Sequence, residues 1–75
     1  VMEKTFTGVF ERVGDWYLAY AEELPGANTQ GRTLEEAREN LREAIGLLLV
    51  ANRELARGAV KGRDVLREEI TVKVA

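Results

Sequence analysis

The 75-residue chain contains no cysteine, no histidine and no serine. The first two absences exclude a disulfide framework, Cys or His metal sites and any imidazole acid or base. No serine or cysteine nucleophile can be built either. Catalysis is left to Asp/Glu, Lys, Tyr and Thr, a poor set. The chain is therefore expected not to be an enzyme and to hold no metal or cofactor. Long hydrophobic runs are also missing: the longest stretch free of polar side chains, Ala44 to Ala51, contains Gly46 and is far short of a membrane span. No basic start followed by an apolar stretch marks a signal peptide. A cytoplasmic protein without membrane contact is the expectation.

What is present suits one small folded domain over residues 1–75. The chain is 45% hydrophobic and 32% charged, too apolar for a disordered tail. Its net charge of −2 gives no global attraction for nucleic acid. The charge is unevenly placed. Residues 1–52 hold five basic and nine acidic side chains, whereas residues 53–75 hold six and four. An acidic first part suits a basic partner.

Local signals run in the order β-β-β-α-β. Lys4 to Arg12 reads as a strand, and Gly14-Asp15 is a Gly-first pair suited to a type II′ hairpin turn. Trp16 to Ala21 is aromatic-rich and reads as the second strand. Leu24-Pro25-Gly26-Ala27 fits a type II turn, with Pro25 presetting φ and Gly26 supplying the positive φ. A short third strand over Asn28 to Gly31 follows. Thr33-Leu34-Glu35-Glu36 is a capping box opening a helix. Its buried stripe is Leu34, Ala37, Leu41, Ala44/Ile45, Leu48 and Leu55, and Gly58 is placed to end it. Asp64 to Arg67 suits a short helical turn. Glu69 to Ala75 alternates Ile70, Val72 and Val74 with Thr71 and Lys73, which predicts a fourth strand, parallel to the first. The expected fold is α+β: a four-stranded mixed sheet with one helix on one face.

The turn at Gly14-Asp15 fixes which residues share a sheet face. Val13 then pairs with Trp16, Glu11 with Leu18 and Val9 with Tyr20. The other face carries Phe6, Gly8, Phe10, Tyr17, Ala19 and Ala21, where small residues admit a helix. Trp16, Leu18 and Tyr20 are left with nothing in the chain to cover them, as expected of an oligomer or partner interface. On the helix, Leu47 and Val50 lie away from Leu41 and Leu48, with Gly46 bordering them. These six residues are the candidate interaction sites, and a homo-oligomer is the expectation.

Other clusters have plainer explanations. Glu35 and Glu36 belong to the helix start, and Glu22 and Glu23 point to opposite sides of an extended strand. Arg53, Arg57, Lys61, Arg63 and Arg67 suit a solvated helix end; no aromatic is interleaved for stacking on nucleic acid. Specific nucleic-acid binding is not expected.

An ordered set of motifs carries a resemblance over about Phe6 to Val50. It comprises a Tyr-rich second strand entering Glu23-Leu24-Pro25-Gly26, then Gln30-Gly31-Arg32-Thr33 opening a helix with Glu35-Glu36-Ala37, Asn40 and Glu43-Ala44-Ile45. The sequence resembles the HicB-type antitoxins of bacterial and archaeal toxin–antitoxin pairs. The resemblance implies a degenerate ribonuclease H-like fold and a non-catalytic domain that sequesters a small basic RNA-cleaving toxin by covering its active site. In the ribonuclease H fold itself, acids on the core strands hold divalent metal, whereas Phe6 to Phe10 contains none. Many family members carry a C-terminal DNA-binding domain; the expectation here is a short form lacking it, without repression of its own promoter. The alternative expectation is an orphan homo-oligomeric structural or regulatory module of the same fold without a toxin partner.

Overall fold

The computed structural model of the protein describes residues 3–74. It is α+β, with three antiparallel strands in the order β1-β2-β3 and one long helix: β1 (Gly8–Val13), β2 (Trp16–Ala21), β3 (Asn28–Gly31) and α1 (Leu34–Ala59). The two turns form as their residues dictate. Gly14 has a φ of 61° while no non-glycine among the described residues has a positive φ, the pattern of type II′. Gly26 has a φ of 95° and the Ala27 amide donates to the Leu24 carbonyl at 3.1 Å, closing the type II turn. With both turns set, the register follows: Val13 faces Trp16, Glu11 faces Leu18 and Val9 faces Tyr20.

The helix starts at the expected cap. Thr33 is extended, and its hydroxyl accepts from the Glu36 amide at 3.0 Å. The first turn then lies against β3, and the helix covers the face of Phe10, Tyr17 and Ala19, where Ala37 and Leu41 are buried. The core is small. Among the described residues its buried hydrophobic members are Ala19, Ala21, Ala27, Ala37 and Leu41, so Leu41 is the one large side chain in it.

Several expectations are corrected by length and reach. The first strand begins at Gly8 instead of Lys4, because β2 ends at Ala21 and the chain turns away there. Leu34 and Leu55 were expected in the buried stripe but are exposed. At a rise of about 1.5 Å per residue, Leu55 stands roughly 21 Å beyond Leu41, past the end of the short sheet. The helix also continues through Gly58 to Ala59, and the positive-φ glycine beyond its end is Gly62, with φ of 76°. Residues 64–67 form no helical turn.

The largest departure is at the C-terminus. Residues 64–74 form no strand, and the expected pairing of Glu69 to Val74 with β1 is not made; Ala75 lies outside the described residues. Ile70, Val72 and Val74 are 79%, 72% and 86% exposed. The helix carries the chain away from the sheet, and the segment does not return. The result is an extended molecule. Its radius of gyration is 16.0 Å, against about 11 Å for a compact domain of this length.

Candidate interaction surfaces

Three surfaces lack intramolecular cover, and each follows from how the elements pack. The first is the sheet face turned away from α1. The β1–β2 register brings Val9, Val13, Trp16, Leu18 and Tyr20 together there, and the last four are exposed. Arg32 places its guanidinium 4.4 Å from the Trp16 ring centroid, a cation–π contact at the rim. Leu18 sits between Glu11 on one neighbouring strand and Gln30 on the other, so the patch has an apolar centre and a polar edge. Such a patch suits a protein partner.

The second surface is the outer side of α1, where Leu47 is 68% and Val50 52% exposed. Because the helix lies on the opposite sheet face from Trp16, the two sets of candidate residues look away from each other. They form two surfaces, not one. Gly46 has open space where a Cβ would stand, so no contact within the protomer requires a glycine there.

The third surface was not anticipated from the sequence. Between the N-terminal part of the chain, β1 and α1 lies a groove of about 1040 Å³. Phe6, Phe10, Leu41, Ile45 and Leu49 supply its apolar walls. Lys4, Arg38, Arg42 and Arg53 bring positive charge to it, of which Arg42 is paired with Glu39. No local signal in the sequence marks it, because its walls come from parts of the chain far apart.

Residues singled out by the resemblance have identifiable structural tasks. The Asn40 side-chain amide donates to the Gln30 carbonyl at 2.9 Å, tying α1 to β3. The Glu23 carboxylate accepts from the Thr7 hydroxyl and the Thr7 amide, each at 2.7 Å. This staple holds the approach to β1, including Phe6, beside the groove. The hydroxyl bond first, then the amide bond, lowers the Glu23 pKa below the ordinary carboxylate value. Since the folded pKa is the depressed one, the staple's contribution is present above the unfolded pKa. It is lost as pH falls through the folded pKa. Replacing Thr7→Val is expected to raise the Glu23 midpoint toward the ordinary value in an NMR pH titration; an unmoved midpoint would refute the assignment.

Among the described residues, no group of three or more His, Cys, Asp or Glu side chains is placed to hold a metal ion. Nor, among the described residues, is any helix long and apolar enough to cross a membrane. No known family, curated protein or solved structure matches the chain.

Proposed function

We propose that the protein is a non-catalytic protein-binding module of the HicB antitoxin kind, which sequesters a small basic RNA-cleaving toxin. The observation that carries this reading is the uncovered sheet face of Val13, Trp16, Leu18 and Tyr20. A face of alternating large apolar side chains in so small a protein has a steep solvation cost unless something covers it. The acidic excess of residues 1–52 favours a basic partner, chiefly by speeding encounter. Support also comes from the motif set between Phe6 and Val50, in which Glu23, Gly26, Gly31, Thr33 and Asn40 all serve the geometry that displays this face. The ribonuclease H-like arrangement implied by the resemblance further requires a fourth strand, for which Glu69 to Val74 is the candidate.

The test uses the product of the neighbouring reading frame. If that product is a small basic protein that arrests growth by cleaving RNA, co-expression of this chain is expected to restore growth. Calorimetry on the purified pair should then show saturable binding, lost in the variant carrying Leu18→Asp and Tyr20→Asp while its circular dichroism stays unchanged. Unimpaired binding by that variant would move the partner to another surface. Failure of the wild-type chain to bind or rescue would leave the orphan homo-oligomeric module as the better account.

A further inference from the structure

The groove beside β1 and the unpaired C-terminal segment are complementary in every respect that a strand insertion needs. β1 is an edge strand, so alternate N–H and C=O groups of Gly8 to Val13 face outward without a ladder partner. The other edge differs, since the Gln30 carbonyl of β3 is already taken by Asn40. Ile70, Val72 and Val74 stand at period two on a segment without secondary structure and are largely exposed. A strand laid along β1 would set those three side chains against Phe6, Phe10, Leu41 and Ile45. The charges match too. Glu68 and Glu69 lead into the segment and offset Arg67 and Lys73, while Lys4, Arg38 and Arg53 line the groove.

We propose that this groove receives the segment Glu69–Val74 of a second copy of the chain, in a two-fold exchange that gives each protomer its fourth strand. Three observations select a second copy as the occupant. First, the segment is not packed into its own domain: α1 runs to Ala59, about 27 Å past Leu41, and residues 64–74 are exposed. Second, the protomer exposes 6848 Å², whereas a folded monomer of 8.4 kDa exposes about 4,600 Å². That surplus is the scale of an obligate dimer's contact, well above a transient one. Third, each chain carries one donor segment and one acceptor groove, so a closed exchange between two copies leaves neither unfilled. The exchange uses the opposite side of the sheet from Trp16, Leu18 and Tyr20. It therefore stands or falls independently of the toxin partner, which the proposed function assigns to that face.

The experiment uses the full chain. Sedimentation is expected to show a dimer at micromolar concentration. Mixing isotope-labelled with unlabelled protein, after unfolding and refolding together, should give isotope-filtered NOEs between Ile70 or Val72 methyls of one copy and Phe6 or Phe10 rings of the other. The variant Ile70→Asp with Val72→Asp should raise the dimer dissociation constant about a hundredfold or more, given two aliphatic side chains removed from the contact. A monomer would overturn the proposal. So would those NOEs arising only within one chain, or a dimer that keeps its affinity in the double variant. Should the variant fail to fold, the NOE measurement on the unaltered chain still decides.

Discussion

Replacing Gly31→Ala is expected to destabilise the fold severely. Gly31 ends β3, and the first turn of α1 crosses directly over it. A Cβ there would stand 2.5 Å from the Ala37 amide nitrogen, 2.9 Å from the Ala37 Cα and 3.0 Å from the Glu36 carbonyl carbon. All three are backbone atoms of the helix, so no rotamer change relieves the clash. The first turn of the helix would have to lift from the sheet, taking the buried Ala37 with it. The φ of Gly31 is not in the left-handed region. The whole effect is thus steric, of about 3 kcal/mol or more for a forced backbone shift. A 75-residue domain has in total only about 4–11 kcal/mol. Gly46→Ala is the matched control. It sits in the same helix with nothing within 4 Å of the added methyl, and should stabilise by about 0.5–1 kcal/mol. Urea unfolding of the two variants should move their midpoints in opposite directions. A wild-type midpoint for Gly31→Ala would mean that helix and sheet are not this close.

Leu41→Ala should cost about 2–5 kcal/mol, again a large part of the total. The reason is the makeup of the core: beside Ala19, Ala21, Ala27 and Ala37, Leu41 is the only large side chain buried among the described residues. It is 4% exposed and meets Phe10, Tyr17 and Ile45 around it. A void at its place cannot be filled by alanines, and the surrounding rings would have to fall inward. Leu47→Asp with Val50→Asp changes more atoms on the same helix. It should leave thermal unfolding of the protomer nearly unaltered, since both side chains project into solvent. Circular dichroism melts at low protein concentration distinguish these outcomes. Equal losses for the two variants would show that the outer helix face is covered even there, and would make it part of an obligate interface.

That Trp16, Leu18 and Tyr20 share one uncovered sheet face was legible in the sequence. A two-residue turn at Gly14-Asp15 leaves one way to pair β1 with β2, and the period of two then assigns each side chain to a face. The outward phase of Leu47 and Val50 was likewise readable, because helix geometry fixes angles between residues a few positions apart. The groove was not legible. It exists through distance between parts remote in the chain: the approach to β1, held by the Thr7–Glu23 staple, and the middle of α1.

The same division separates what the sequence by itself determined from what only the tertiary structure decided. Turns at Gly14 and Gly26, the cap at Thr33, the strand register and the face of the sheet that admits the helix are short-range matters. They depend on φ preferences, on one hydroxyl and on small side chains at alternate positions, all set within a few residues. Where α1 outruns the sheet, why Leu34 and Leu55 stay exposed, and how close Ala37 comes to Gly31 depend on where one element rests on another. The pattern of Ile70, Val72 and Val74 states that the segment is fit to be a strand. Whether it becomes one depends on an edge to pair with, because a strand's backbone hydrogen bonds lie outside itself whereas a helix closes its own. That is why the helix could be read to its cap from residues alone, and the last strand could not.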